Sequence, residues 1–541
     1  MRHLLLAIAV ALVASAAPTP VHAASPEACA PDAAPDKYRM LRQLTLDLYG
    51  RIPTYDEYVA LDGRDDLDTA AIDAMFSTDE YYAGVRDYFR HLIWGGLPDD
   101  LNVIGSQRLV SRAATTNLHF VGNLRSTFRA RNDVICLDQL QTQFDAAGRP
   151  VPISTFADTT CTGGTCRQEG YVMVTPYWSP TPIKVCAYDA QALAIGTGTT
   201  PPACGPYTIN AGCGCGDGLR HCILGATDAN HVAIRAALAE EAPRIFEAVV
   251  RDGRSYFDTF TTKQSFANGP LIHFYTELSG PEVTLRQGGT VGYDGRMPAT
   301  MPTVPFADRT TWMPLERDAA HAGVLTTAGY MLRFASNRAR VNRWYTAFRC
   351  EPFQPPAGGL PPDVGGQPDP NLRTRNGCGS CHETIERAAA HWGRWRNTSQ
   401  FGYFTPADVD FAAARAECAT GSPSSSRAFC DAYFITDRNS THPDELAQWK
   451  GWPQARAWLS TEEAAAIETG PGGLVDEPGE QAKVAECAVR TLTQQLLGRE
   501  LTADETLTWL PVATQAFAAD GYQFSKLYRS LVDLPQYRIT R

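Results

Sequence analysis

Asn376-Gly377-Cys378-Gly379-Ser380-Cys381-His382 is the most informative stretch of this 541-residue chain. Its pattern, Cys-x-x-Cys-His, is typical of sites at which a c-type haem is attached covalently. Cys378 and Cys381 would bond the two vinyl groups, and His382 follows at once as the proximal iron ligand. Random placement of 15 Cys and 11 His in 541 residues gives about 0.01 expected matches, so chance does not explain the pattern.

Two other interpretations of these cysteines remain open. Cys378 and Cys381 are also compatible with a short disulfide or redox pair, or with part of a zinc site. The residues from His382 to Glu386 begin like a zinc-protease motif but have glutamate where the second histidine is required. The sequence contains no Gly-x-Ser-x-Gly, P-loop or His-Glu-x-x-His pattern that would favour another enzyme class.

The N-terminus predicts a signal peptide over residues 1–23. Arg2 precedes a ten-residue apolar run at 4–13, and Val21-His-Ala23 offers a cleavage site. No later apolar stretch is long enough to predict a transmembrane helix. We therefore expect a periplasmic or secreted protein, in which haem attachment and disulfide formation both occur outside the cytoplasm.

The cysteines favour the same compartment. Setting aside two of the 15 cysteines for haem leaves an odd number, so at least one is free, paired between chains or otherwise engaged.

Eight cysteines lie in a segment rich in Gly, Thr and Pro: Cys136, Cys161, Cys166, Cys186, Cys204, Cys213, Cys215 and Cys222. This segment predicts a disulfide-stapled insert of loops and short strands, one of them at 170–176. A metal site at Cys213, Cys215, His221 and Cys222 fits no standard zinc spacing.

The predicted fold class is mainly α, a multi-segment helical protein with the disulfide-rich insert and a cytochrome c-like haem-attachment segment. At about 150 residues per domain, the length suggests about three folded units. The predicted segments are a signal peptide (1–23), an N-terminal helical domain (24–135), the cysteine-rich insert (136–226), a central helical domain (227–350), a Pro/Gly-rich linker (351–375), the haem c-binding segment (376–467), a second linker (468–481) and a C-terminal helical segment (482–541).

Helix ends are predicted from capping residues. Gly50 and Gly498 are expected to end helices, and a long helix is expected over 231–250. Three pairs have capping-box spacing: Thr54 with Glu57, Ser77 with Glu80, and Thr502 with Glu505. The carboxylate pairs Glu240-Glu241 and Asp65-Asp66 are interpreted as solvated helix or loop surface.

The second axial ligand is not decided by the sequence. No methionine follows the motif, and the last one is Met331. Met331, an earlier methionine, a histidine such as His391 or His442, or no protein ligand at all are the alternatives. His391 is nine residues past His382, about half a helical turn out of phase, so the two should not face one iron. Arg394 and Arg396 are candidates to pair with the haem propionates.

Four further stretches of sequence occur in a fixed order around the Cys-x-x-Cys-His motif. They are Leu41-Arg-Gln-Leu-Thr-Leu-Asp-Leu-Tyr-Gly-Arg-Ile-Pro-Thr54; the segment 241–275, with Asp252-Gly-Arg-Ser255 and Phe266-Ala-Asn-Gly269; the segment 323–350; and Glu486-Cys-Ala-Val-Arg490 with Leu497-Gly-Arg499 and 521–537. In this order the chain resembles the large secreted planctomycete- and myxobacterial-type cytochrome c-like proteins, whose several segments of unknown function surround one haem motif. The resemblance implies a mainly helical fold, an exported location and one covalent haem c, but no established reaction.

The leading hypothesis is an exported monohaem c-type cytochrome-like protein working in electron transfer with a redox partner protein. The formal charge of −11 argues against a general nucleic-acid binder and is compatible with a basic redox partner. The alternatives are a peroxidase-like haem enzyme with an open sixth site, and a secreted scaffold or binding protein with a structural haem or disulfide. The oligomeric state does not follow from the sequence.

Overall fold

A computed structural model describes residues 36–94, 108–111, 117–121, 136–146, 148–159, 162–191, 214–220, 222–225, 228–278, 301–354, 369–395, 411–420, 430–431, 433–454 and 460–539. The predicted signal peptide and Arg396 lie outside these residues. The described residues are mainly helical, as the sequence predicts, with short strands between the fourth and ninth helices.

The helices are α1 (Lys37–Tyr49), α2 (Tyr55–Asp62), α3 (Thr69–Met75), α4 (Asp79–Trp94), α5 (Ala229–Arg251), α6 (Asp258–Thr261), α7 (Gly269–His273), α8 (Ala328–Arg333), α9 (Asn337–Phe348), α10 (Gly379–Ala390), α11 (Phe411–Ala419), α12 (Pro443–Trp449), α13 (Thr461–Thr469), α14 (Glu480–Leu497), α15 (Leu510–Ala519), α16 (Phe524–Val532) and α17 (Pro535–Ile539). The strands are β1 (Arg108–Ser111), β2 (Leu118–Val121), β3 (Ser154–Ala157), β4 (Thr165–Gln168), β5 (Tyr171–Val174), β6 (Ile183–Cys186), β7 (Ile223–Leu224), β8 (Gln264–Ala267) and β9 (Met313–Glu316).

Most predicted helix ends are confirmed. Gly50 and Gly498 follow α1 and α14 in the left-handed conformation, and Thr54 forms the expected capping box with Glu57 at the start of α2. The box predicted at Ser77 and Glu80 is wrong by one residue. Thr78 accepts the hydrogen bond from the N–H of Tyr81, and Glu80 pairs instead with Arg51.

The core is built on the packing of α4 against α5. The rings of Phe89 and Phe246 stack with centroids 4.4 Å apart. Pro243 lies inside α5 and has no N–H, so the carbonyl of Ala239 lacks its usual helical partner. The indole N–H of Trp94 donates to that carbonyl at 2.9 Å, which satisfies the backbone across the two helices.

This core is continuous along the described chain. A single cluster of buried apolar side chains runs from Met40 in α1 to Tyr537 in α17, and it includes Trp392 and Trp395 after α10. The sequence predicts separate N-terminal, central, haem c-binding and C-terminal segments. In the structure, the described residues of these predicted segments share one interior. Gly329 lets α8 approach α5 closely in this core, because a Cβ at position 329 would lie only 2.2 Å from the carbonyl oxygen of Leu238.

The cysteine-rich insert contains short strands and disulfides, as predicted. Its five-stranded sheet has the order β5-β6-β2-β1-β7. β1 and β2 come from the segment predicted to be helical, because each is only four residues long and is held by pairing with a strand of the insert, β1 with β7 and β2 with β6. Among the described residues, disulfides join Cys136 to Cys186 and Cys215 to Cys222 within the insert, Cys350 after α9 to Cys487 of α14, and Cys418 to Cys430. Cys166 is also disulfide-bonded.

The region predicted as a second linker differs from the expectation. Residues Pro471–Asp476 form a 3₁₀ turn that buries Pro471, Leu474 and Val475, and α14 begins at Glu480. The Gly and Pro residues shape the turn, but its two aliphatic side chains hold it in the core. Among the helices of the described residues, none has the length and hydropathy needed to cross a lipid bilayer.

The Cys350–Cys487 disulfide joins residues that are 137 positions apart, whereas the Cys215–Cys222 disulfide joins residues only 7 positions apart. Because a longer loop loses more entropy on cross-linking, replacing both Cys350 and Cys487 by Ala should lower the free energy of unfolding by about 4–5 kcal/mol. The matched Cys215→Ala/Cys222→Ala variant should lose about 2 kcal/mol. Urea unfolding followed by circular dichroism measures both, and equal losses would contradict the expectation.

Candidate functional site

The Cys-x-x-Cys-His motif forms the first turn of α10. Cys378 directly precedes the helix, and the N–H groups of Cys381 and His382 donate to its carbonyl at 3.2 and 3.0 Å. Gly377 has a φ of 77°, a left-handed conformation that residues with a Cβ rarely adopt. The chain thus turns sharply at Gly377 and then presents both cysteines within one helical turn.

The thiols of Cys378 and Cys381 are free, and both residues are half-buried. Every other cysteine within the described residues is disulfide-bonded. Sγ of Cys381 lies 3.9 Å from the carbonyl oxygen of Gln354, four residues after Cys350. In this part of the chain, the motif therefore holds the two sulfurs that are available to bond another group.

The imidazole of His382 is held by a carboxylate one turn later in the same helix. Its Nδ1 lies 2.8 Å from Oε1 of Glu386, and the same oxygen accepts from Nε of Arg338 at 2.6 Å. The side chain of Glu386 is 5% exposed and that of His382 is 22% exposed. The carboxylate therefore lies beneath the ring, and the ring is the part that reaches the surface.

An arginine fixes the outer side of the motif turn. The guanidinium of Arg373 binds Glu383 with two nitrogens at 3.1 and 3.0 Å and Glu463 of α13 with a third at 2.7 Å. This arginine lowers the pKa of Glu383 below its usual value, because it binds the charged carboxylate. Arg373 thus joins the turn that precedes the cysteines both to α13 and to α10, the helix that follows the turn.

The donor set fits haem c. Two free thiols lie on one turn with the spacing that thioether bonds to haem require, and a histidine with an occupied Nδ1 leaves its Nε2 for an iron. The zinc alternative has less support within the described residues. There, the cluster of metal-ligand side chains that lies within 4.8 Å is Cys136, Glu169 and Cys186, and its two sulfurs form a disulfide.

Met331, His391 and His442, three candidates for the sixth ligand, each contact other parts of the protein. Met331 is fully buried on α8, which packs against α5 and the turn Gly323–Thr326. His391 has both ring nitrogens occupied, by the carbonyl of Gly470 at 2.7 Å and by Glu477 at 2.9 Å. Nδ1 of His442 caps α12 by accepting from the N–H of Asp444. The role of Met331 as an iron ligand stays a prediction.

The residues after α10 are partly engaged in the core. Arg394 forms an ion pair with Glu468, and Arg396 lies outside the described residues, so propionate binding by this pair stays a prediction. Trp392 and Trp395 are buried in the main core. The indole of Trp392 lies nearly parallel to Tyr330, with centroids 6.5 Å apart, and its N–H donates to the carbonyl of Leu325.

Sequence reasoning missed Glu386 and Arg338. In the sequence, Glu386 occupies the position at which a zinc-protease motif would require its second histidine. The signal that identifies it is its spacing, because residues four apart on a helix lie on the same face and a glutamate at that position can reach the imidazole of His382. Arg338 gives no such signal, since only the packing of α9 against α10 brings it to the carboxylate.

The interpretation of Glu240 and Glu241 as a solvated pair is wrong. Glu241 is fully buried, and it accepts hydrogen bonds from Ser265 and Tyr275 at 2.7 Å each, with a nitrogen of Arg317 at 3.7 Å. Burial raises the pKa of Glu241. Adjacent residues on a helix point about 100° apart, so Glu240 reaches the arginines Arg86 and Arg90 while Glu241 enters the core.

No family model, curated protein or solved structure matches this chain. The resemblance to secreted cytochrome c-like proteins therefore stays a prediction from the sequence.

The thiol state of the motif can be tested directly. In the exported chain produced without haem-attachment machinery, we expect iodoacetamide to label Cys378 and Cys381 without prior reduction, because both are free and half-buried. Cys350 and Cys487 serve as the internal control and should need reductant. Peptide mass mapping gives the result, and a Cys378–Cys381 disulfide in the unlabelled protein would contradict the expectation that these thiols are free.

Proposed function

We propose that the protein is an exported monohaem c-type cytochrome-like protein that carries electrons. The observation that carries the proposal is the motif turn, in which two free thiols are followed directly by a histidine whose Nδ1 is already bonded. Among the described residues, the other cysteines are oxidised to disulfides. A pair of thiols left free in such a protein is best accounted for by a covalent partner such as haem.

Each part of the site would have a separate task. The thiol groups of Cys378 and Cys381 would add across the haem vinyl groups, so that each S–H bond is replaced by a C–S and a C–H bond. Nε2 of His382 would hold the iron, and Glu386 would keep the imidazole in place. The bound haem would supply the exchange of one electron between ferric and ferrous iron.

The core around α10 would limit the access of water to one side of such a haem. Ile385, Ala388 and Ala389 of α10 and Trp392 after it are buried among apolar side chains. Burial of a haem by apolar residues is one of the means by which a protein sets its reduction potential. The half-buried ring of His382 lies near the surface on the other side of the turn, where an electron could be exchanged with a partner.

A redox partner protein and an exported location belong to the same proposal. The disulfides are compatible with a periplasmic or extracellular protein. The formal charge of −11 favours a partner with a basic docking surface, whose association would weaken as salt increases.

Absorption spectra and intact mass test the proposal. The full chain, exported from a host with haem-attachment machinery, should show a sharp α-band on reduction with dithionite and a mass gain of one haem. Replacing both Cys378 and Cys381 by Ala should abolish the covalent attachment, because neither thioether bond can form. The Cys215→Ala/Cys222→Ala variant is the matched control that loses two cysteines elsewhere and should keep the haem. A colourless wild type of unmodified mass would overturn the proposal.

A second candidate, a peroxidase-like haem enzyme, is favoured by one observation. Met331 is buried in the core and both ring nitrogens of His391 are hydrogen-bonded, and this favours a sixth position that neither of them fills. His442 uses its Nδ1 as a helix cap, but its buried Nε2 has no hydrogen-bond partner among the described residues, so His442 stays a candidate ligand. Carbon monoxide should then bind the reduced protein, and cyanide the oxidised one, at millimolar concentrations with clear shifts of the Soret band. Resistance to both ligands would exclude an open site and leave electron transfer by a six-coordinate haem.

A further inference from the structure

Glu386 is the buried acceptor at the centre of the motif's polar contacts. Its Oε1 is 2.8 Å from Nδ1 of His382 and 2.6 Å from Nε of Arg338. The first partner lies one turn earlier on α10, and the second lies on α9. Both contacts meet at one oxygen, so the position of the carboxylate decides the orientation of the imidazole ring.

The carboxylate also decides which ring nitrogen carries the proton. An ionised carboxylate can only accept hydrogen bonds, so Nδ1 of His382 must be the donor. A neutral imidazole that is protonated at Nδ1 has its lone pair on Nε2. His382 is thereby prepared to bind a metal through Nε2, before any metal is present.

The packing of α9 makes this arrangement firm. Arg338 lies at the start of α9, and that helix is held in the core by Val341, Trp344 and Phe348, each of which is almost fully buried. The disulfide between Cys350 and Cys487 ties the end of α9 to α14. The backbone that carries Arg338 is therefore anchored in the core, and the Arg338 side chain, which is 41% exposed, reaches from it to the buried carboxylate of Glu386.

We propose that Glu386 is a positioning residue that sets the electron donation of His382 to a haem iron. This inference rests on the proposed haem attachment. A carboxylate that accepts the Nδ1 proton makes the imidazole a more basic, more electron-donating ligand. Stronger donation stabilises ferric over ferrous iron, so Glu386 lowers the reduction potential of the site, and Arg338 limits the effect by sharing the same oxygen.

The chain offers a matched pair of variants. Glu386→Gln keeps the size of the side chain and removes the carboxylate that contacts His382. Glu383→Gln removes the same formal charge from the same helix at the residue next to His382. Glu383, however, is 53% exposed and binds Arg373 rather than the imidazole. The second variant therefore measures the effect of a lost charge and a weakened Arg373 contact, with the contact between Glu386 and His382 left in place.

The experiment is a spectroelectrochemical titration of the haem-loaded full chain at fixed pH and ionic strength. We expect the reduction potential of Glu386→Gln to be clearly more positive than that of the wild type, and the potential of Glu383→Gln to shift much less. Thermal unfolding of each variant, followed by circular dichroism, identifies any that fail to fold. Equal shifts in the two variants, or no shift in a folded Glu386→Gln protein, would overturn the inference while leaving haem attachment intact.

A second measurement tests the hydrogen bond without haem. In the haem-free, ¹⁵N-histidine-labelled full chain, long-range proton–nitrogen spectra report which ring nitrogen carries the proton, and a His382→Gln variant identifies the signal. We expect the Nδ1–H form for His382 and its loss in Glu386→Ala. An Nε2–H form in the wild type would contradict the proposed role of Glu386, whatever the result for haem. Failure of the wild type to take up haem while His382 keeps its Nδ1–H form would instead overturn the proposed function.

Discussion

The contact between α4 and α5 is the constraint on which the rest of the protein depends. Pro243 removes one backbone donor from the middle of α5, and the indole of Trp94 replaces it from α4. Phe89 and Phe246 stack beside this hydrogen bond, and burying each ring contributes about 2–3 kcal/mol. The hydrogen bond and the stacked rings thus both join the two helices.

The candidate site is an extension of that core rather than a separate module. Helix α5 packs against α8, α8 leads into α9, and α9 packs against α10, the helix that begins with the two free cysteines. Arg338 of α9 and Glu386 of α10 join the last pair by an ion pair directly beneath His382. A change in the position of α9 would therefore reach the imidazole through one carboxylate.

Sequence patterns predicted the local features well, because their causes are local. Gly50 and Gly498 end helices since glycine adopts a left-handed conformation at little cost, and Thr54 caps α2 through bonds to Glu57, three residues away. The errors have causes that lie far away in the chain. The aliphatic residues of the turn Pro471–Asp476 are buried by the shared core, and Glu241 is buried because Ser265, Tyr275 and Arg317 meet it there.

By itself, the sequence determined the mainly helical fold, the presence of disulfides and the spacing of Cys378, Cys381 and His382 on one helical turn. These follow from periodicity and from residues a few positions apart. Only the tertiary structure decided which cysteines pair, which strands form the sheet, and that Glu386 is shared between His382 and Arg338. Those contacts join residues up to 137 positions apart. Their geometry depends on how α9, α10 and α14 pack, which no local pattern contains.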